Sequence, residues 1–581
     1  MSVRNTFSRE VLVERTWPFF LDLGVAAALL AGFYAIIWIA RFWISSAVPE
    51  VTIHLSPSHL PLYAFYSTAR IFIAYIISLT FSIAYGYIAA YNKRVEALMI
   101  ATLDILQSIP VLSFLPGVML AMMSLFPSRQ IGIEMGAILL IFTGEVWNMA
   151  FSFYSSLKSI PRELREACII NRFSAVQRLF QLELPFATIG LVWNSMVSVA
   201  NGWFFLIVCE MFPVGSRNFR LPGLGSYLQT AASNGNTRAL VYGLITMVLI
   251  IVLTDQLLWR PLIAWSDKFK FESVESADRI QSPILHIIRS SNVLAFMHRH
   301  TMEPLGEATY RYFASRHEQH IVRDEDRRPS GRRSATLLML LAGIAVLAAV
   351  VMAAFHAMLL LRQIQPHQLI RLLEGAGATF LRVNASLLLA SLWTIPVGVA
   401  IGFSPRIAHI TQPLAQIAAS FPATALFPLF LLALMHNGLG LGFGSVALMM
   451  LAAQWYILFN VIAGAMAIPS DLKEVAGVFR FGSLQRWTTV ILPGIFPFLI
   501  TGLVTASGGA WNASIVAEYF HIQGKTLATL GLGAQISAAS DRGDFPTLLL
   551  ATIIMALVVV TINRLVWRPL YRLAETKYRL D

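Results

Sequence analysis

Charge is scarce in this sequence. Asp, Glu, Lys and Arg together make up 13% of its 581 residues, against 57% hydrophobic residues. With a mean hydropathy of +0.66, that composition excludes an ordinary water-soluble domain and places the chain in a bilayer. Cysteine is almost absent: Cys168 and Cys209 are the only two, and they fall on opposite expected sides of the membrane. That excludes a disulfide framework and a cysteine metal cluster. Acids are outnumbered 31 to 43, for a net charge of +12, but the basic residues sit in short segments between apolar runs. Membrane orientation explains them there without nucleic acid. A phosphate loop is lacking as well: Gly524-Lys525-Thr526 has the right ending, but the glycine needed five residues earlier is Tyr519. No acid/base pair or metal constellation marks a membrane enzyme.

What is present is a succession of apolar runs near the ~20 residues that a spanning helix needs. They predict spans at roughly 18–43, 62–90, 97–125, 131–157, 184–208 and 237–262, then 335–361, 376–403, 407–434, 442–466, 493–515 and 545–567. Lys93, Arg94, Lys158, Arg162, Arg165, Arg406, Lys473 and Arg480 collect on the side of the termini, which is therefore expected to be cytoplasmic. Arg129, Arg217, Arg220, Arg238 and Arg542 fall opposite. The halves repeat. Ile160-Pro161 recurs as Ile468-Pro469, Leu184-Pro185 as Leu492-Pro493, Gly223-Leu224-Gly225 as Gly531-Leu532-Gly533, and Trp259-Arg260-Pro261-Leu262 as Trp567-Arg568-Pro569-Leu570, always 308 residues on. Upstream the offset is 312, matching Arg70 to Arg382, Gly86 to Gly398 and Pro110 to Pro422. The fold expected is an all-α membrane protein of about twelve spans, two parallel six-helix repeats about a pseudo-twofold axis. Residues 1–267 and 335–581 would be the repeats, and the polar stretch 268–334 a cytoplasmic linker.

The loop after the fourth span of each copy is long enough for a helix outside the bilayer. Pro161 and Pro469 can open it, Glu163 and Asp471 complement its dipole, and Leu164, Ala167 and Phe173, with Leu472, Val475 and Phe481, can form an apolar stripe. Here the chain resembles the permeases of binding-protein-dependent ABC importers, whose loop follows a Glu-Ala-Ala, three residues, Gly, nine residues, Ile-x-Leu-Pro pattern. Glu166-Ala167-Cys168 with Leu182-x-Leu184-Pro185 keeps that register, as does Glu474-Val475-Ala476 with Val490-x-Leu492-Pro493. The family glycine is Arg172 in one copy and Arg480 in the other; Gly482 is a candidate for the turn in the second. Arg70 and Arg382, Pro110 and Pro422, Glu210 and Glu518, and the two Gly-Leu-Gly motifs are similar to the nitrate/sulfonate/taurine branch.

The resemblance implies a type I importer permease of the bacterial inner membrane, not itself an enzyme, carrying a small solute such as nitrate, a sulfonate or taurine. Two ABC ATPase subunits, expected as a homodimer, would dock on the loops and bring ATP and Mg, with no cofactor in this chain. A substrate-binding protein would dock on the outer face over 209–236 and 516–544. Arg70 and Arg382 lie inside apolar spans, where a charge calls for a partner; they either line the passage or pair with Glu210 and Glu518. Asp104 and Glu145 are further candidates for the passage. Pro110, Pro116 and Pro422 are expected to break or kink the third span and free carbonyls for water or solute. Trp203 and Trp511 read as interface-belt residues. The alternative is an ion-coupled transporter of the major-facilitator type, but Tyr91-Asn92-Lys93-Arg94 lacks that family's Gly/Asp/Arg signature, and the long loops would have no task.

Overall fold

The computed structural model describes residues 51–269 and 354–577, apart from 127–129, 215–216, 420, 437–439, 469–471, 473, 475–477 and 523–524, with isolated positions between 270 and 353. The expected span at 18–43, most of that at 335–361 and nearly all of the linker lie outside the described residues. The first half runs α1 (Pro57–Tyr91), α2 (Glu96–Ser108), α3 (Leu115–Leu125), α4 (Gln130–Ser159), α5 (Arg162–Ile170), α6 (Ala175–Cys209), a hairpin of β1 (Met211–Val214) and β2 (Arg217–Arg220), α7 (Leu224–Ser233) and α8 (Thr237–Ser266). The second half repeats the order with α9 (Pro366–Phe403), α10 (Pro405–Ala419), α11 (Ala423–His436), α12 (Leu441–Ala467), α13 (Ser483–Ala517), β3 (Tyr519–Ile522) and β4 (Lys525–Ala528), α14 (Leu532–Arg542) and α15 (Phe545–Ala574). Among the described residues eight helices, α1, α4, α6, α8, α9, α12, α13 and α15, are long and apolar enough to cross a membrane.

The third span of each copy is broken rather than kinked. Ile109 turns extended (φ −84°, ψ 130°), as the residue before a proline tends to, and Pro110 opens a 3₁₀ turn over Val111–Phe114. Pro116 falls in the first turn of α3, where a proline costs no hydrogen bond, so it produces no kink. The carbonyl four residues before Pro110, that of Leu106, accepts from Ile109 N at 3.4 Å; the carbonyl of Pro110 itself accepts from Ser113 N at 3.2 Å and Ser113 Oγ at 2.7 Å, and that of Pro422 from Ala425 N at 3.0 Å.

Four of the other repeated prolines, Pro185, Pro493, Pro261 and Pro569, do not end their helices. A π-turn precedes each one: Leu179–Glu183 before Pro185, Trp487–Ile491 before Pro493, Asp255–Trp259 before Pro261 and Asn563–Trp567 before Pro569. Proline lacks an N–H, and its ring collides with the carbonyl four residues back; the wider turn moves that carbonyl aside while the helix continues. As a result α6 and α13 start nine and ten residues before the expected spans and run unbroken for 35 residues each.

In each half the inner bundle is α1–α4–α6 or α9–α12–α13. Trp203 and Trp511 are buried in it at 3% and 1% exposure, which replaces the interface-belt reading. The halves interlock: α11 packs on α6 and α7, α2 on α15, and the 3₁₀ turn on α13. Tyr456 OH donates to Asn201 Oδ1 at 2.6 Å and Thr552 Oγ1 to the Ser113 carbonyl at 3.3 Å across the interface. Gly86 and Gly398 bring α1 against α4 and α9 against α12. A Cβ there would sit 2.8 Å from Phe153 Cδ1 or Val461 Cγ1, with backbone atoms within 3.3 Å. Gly86→Leu and Gly398→Leu are each expected to lower stability by roughly 1–3 kcal/mol through overpacking, read as the unfolding midpoint in detergent.

Candidate functional site

At the hairpin end, Arg70 is 2% exposed and held by two carboxylates. Its Nε and Nη2 donate to Glu134 at 2.6 and 2.7 Å, and its Nη1 donates to Glu210 at 2.7 Å and to the Pro222 carbonyl at 2.9 Å. Ser67, one turn earlier, donates to Glu210 at 2.6 Å and accepts from Leu224 N at 2.9 Å. The Gly-Leu-Gly motif follows from this geometry. A Cβ on Gly223 would overlap the Glu210 carboxylate, and Gly225 N donates to it at 2.7 Å. The second copy repeats the arrangement through Arg382, Glu518, Thr379, the Leu530 carbonyl and Gly533 N. Glu134 has no counterpart there, and Arg382 Nη2 donates instead to Thr529 at 3.0 Å.

These charges are spent on one another inside each half. The cavity between the halves, about 120 Å³, is walled by other residues: Pro116, Ile207 and Phe212 from one half meet Pro428, Ile515 and Phe520 from the other. Arg70, Arg382, Glu210, Glu518, Pro110 and Pro422 are all absent from its wall. Glu145 is fully buried within the first half, its Oε2 3.5 Å from Ser78 Oγ and its Oε1 against Gly202. Asp104 lies on α2, with its side chain outside the described residues.

At the opposite end, α5 follows Pro161, which is extended (φ −54°, ψ 147°), and carries Glu163 in its first turn. Leu164, Cys168 and Phe173 pack against Leu157, Ile160 and Leu182. Ala167, expected in that stripe, is exposed beside Glu166, Ile169 and Ile170. Arg165 Nη2 donates to the Leu157 carbonyl at the end of α4 at 2.5 Å. Arg178 Nε donates to Glu183 Oε1 at 2.7 Å, its guanidinium lies 4.4 Å from the Tyr91 ring, and Tyr91 OH donates to Glu183. This brace ties the loop to α1. In the second copy Glu474 is helical and exposed, and Pro493 lies inside α13. Pro469, Asp471 and Val475 lie outside the described residues.

The family model described as binding-protein-dependent transport system inner membrane component matches residues 82–258 and again 394–571. Together the two matches cover more than half of the chain. The chain belongs to this family. It holds two copies of the family unit, and each match contains one loop of the α5 type. Among curated relatives, it is 29% identical over 190 residues to the nitrate import permease protein NrtB of Leptolyngbya laminosa, covering 33% of this chain and 64% of the relative. It is 28% identical over 189 residues to the bicarbonate transport system permease protein CmpB of Synechococcus elongatus, covering 32% and 65%. It is 28% identical over 169 residues to the taurine transport system permease protein TauC of Escherichia coli, covering 29% and 58%. Each match spans less than two thirds of the relative's length.

The two arginines standing where the family pattern has glycine adopt the backbone that glycine favours. Arg172 and Arg480 both have φ 49° and are the only non-glycine residues with positive φ among those described. Arg172 ends α5 in a Schellman turn: Phe173 N donates to the Cys168 carbonyl at 2.9 Å and Arg172 N to the Ile169 carbonyl at 3.0 Å. Gly482, proposed for the second turn, is extended at φ −61° and precedes the helical turn Ser483–Arg486; Arg480 makes the turn. Sequence reasoning missed Ser67, Thr379 and Glu134. The first two were accessible, since both lie one helical turn before an arginine at the 312 offset, whereas Glu134 has no repeat to mark it.

Two predictions follow from this geometry in the family member. Arg172→Gly and Arg480→Gly are expected to raise stability by about 1 kcal/mol each, by removing the left-handed penalty on a side chain; detergent unfolding midpoints measure it. Arg70→Met is expected to cost about 3–5 kcal/mol, because two carboxylates are left buried without a cation. Arg382→Met, at 16% exposure with one carboxylate, should cost less in the same measurement.

Proposed function

We propose that this chain is the membrane-spanning subunit of an ATP-driven importer, with two ATPase subunits seated at the α5 end and a substrate-binding protein at the hairpin end. The observation that carries the reading is the rigid path from loop to cavity. A Schellman turn joins α5 to α6, α6 passes Pro185 through a π-turn, and Ile207 near its far end forms part of the cavity wall. A displacement imposed on α5 would therefore reach the cavity between the halves without crossing a flexible loop. Exposed Ile169, Ile170 and Phe180, and Val478, Phe479 and Leu484 in the second copy, offer apolar surface at that end, where a solvated turn would carry polar residues.

In this reading the α5 end and both termini face the cytoplasm, the membrane is the bacterial inner membrane, and 1–267 and 335–581 form the two repeats around the 268–334 linker. ATP and Mg belong to the ATPases, expected as a homodimer. The solute is a small anion or zwitterion of the nitrate, sulfonate or taurine kind, passing between the halves as one copy rocks against the other. Glu166 and Glu474, both exposed, would face the ATPases. Co-purification with candidate ATPase subunits from the same organism tests this. The wild type should retain two ATPase subunits and stimulate ATP hydrolysis, and Glu166→Arg with Glu474→Arg should abolish both. An unaffected double variant that moves solute on an ion gradient alone would replace the reading with a secondary transporter.

A further inference from the structure

The pseudo-twofold repeat carries most of the cavity wall onto itself: Ile207 onto Ile515, Phe212 onto Phe520, and Pro116 onto Pro428. It changes residue type from Leu112 to Thr424 and from Gln229 to Ser537, and it fails most fully at one cluster. Met211 matches Tyr519, Pro213 matches His521 and Ser233 matches Asp541, and all three second-copy residues line the cavity. Tyr519 OH donates to Asp541 Oδ2 at 2.6 Å, His521 Nε2 lies 2.9 Å from the same oxygen, and His521 Nδ1 lies 2.9 Å from Thr526 Oγ1. A neutral imidazole satisfies both of its contacts, donating from Nε2 and accepting at Nδ1. Burial and the neighbouring carboxylate push the Tyr519 phenol up, so it stays a donor to Asp541.

Among the described residues the cavity wall contains no lysine or arginine. Arg542, next in sequence, turns its Nε to the Ala538 carbonyl of its own helix. The fixed charge facing the space is therefore the Asp541 carboxylate, which uses two of its roughly four acceptor sites on Tyr519 and His521. A bare oxyanion would meet like charge there with no cation in the described wall to hold it, whereas an ammonium group would find an acceptor that is already oriented. We propose that Tyr519, His521 and Asp541 form a one-sided recognition site for a small solute bearing a protonated amine, with the largely apolar wall of the first copy packing against the rest of it. The assignment rests on the import reading and narrows its solute class.

Binding to the purified full chain in detergent tests the site without requiring transport. Taurine, ethanolamine and glycine serve as amine probes, N-acetyltaurine as the amine-blocked control, and nitrate and bicarbonate as oxyanions. At least one amine probe should bind wild type. Asp541→Asn, which preserves side-chain volume, should weaken it tenfold or more, and Ser233→Asn at the symmetry-related position should leave it unchanged. Amine binding that survives Asp541→Asn, no binding of any amine probe, or equal binding of N-acetyltaurine overturns the proposal, as does nitrate or bicarbonate binding that Asp541→Asn leaves intact. ATPase co-purification of the wild type keeps the two readings apart: wild type that retains its ATPases but binds no amine probe would sink the recognition site and leave the importer standing.

Discussion

A guanidinium buried in an apolar span is tolerable only if its charge and its N–H groups are met, and the arrangement of each half follows from that requirement. Arg70 can reach Glu210 only if the end of α6 lies beside α1, and it can reach the Pro222 carbonyl only if the chain folds back after the β1–β2 hairpin. Glu210 in turn needs a neighbour without a side chain, supplied by Gly223, and an amide donor, supplied by Gly225. Arg382, Glu518, Gly531 and Gly533 satisfy the same set of conditions. The arginine, the glutamate and the Gly-Leu-Gly motif that recur at fixed offsets are thus the parts of one interaction, which locks the hairpin end of each half. The donors of each arginine are committed to this lock, and neither Arg70 nor Arg382 lines the cavity between the halves.

The second constraint is proline inside long helices. In lipid a broken helix would expose backbone groups with no water to receive them. A π-turn lets Pro185 and Pro493 stay inside α6 and α13 while the hydrogen-bond ladder resumes beyond them. The consequence is mechanical: a 35-residue helix joins the loop end to the locked hairpin end. With α5 fastened to α4 by Arg165 and to α6 by the Schellman turn, the first copy has few places where an imposed motion could be absorbed.

The repeat, the paired Arg and Glu residues and the α5 loop were legible because each is written twice at a constant offset. Apolar length was enough to find the long spans, but it could not distinguish a proline that breaks a helix from one that a π-turn absorbs. Pro110 and Pro185 look alike in sequence, and only the packing around them separates the two outcomes. Side-chain direction was similarly hidden. Ala167 and Cys168 are adjacent small apolar residues, and the fold turns one out and the other in. The left-handed turn was visible as a departure from the family glycine. That arginine would adopt the same φ could not be read from residue type, which argues against it.

What the sequence repeat could not reveal is the asymmetry, because each asymmetric group occurs once. Glu134 is answered by Thr529 from another part of its copy, Glu183 by Ile491, and Asp541 by Ser233. Two identical subunits would have to carry every such group in both positions. A second Asp541 would set two carboxylates around one small cavity, where like charges oppose each other's ionisation, and a second Glu183 would brace both loops alike. Fusing the copies into one chain removes that obligation. One half can then keep a largely apolar wall and a braced loop while the other supplies the charged contact, a division of labour that follows from covalent duplication rather than from the fold of either half.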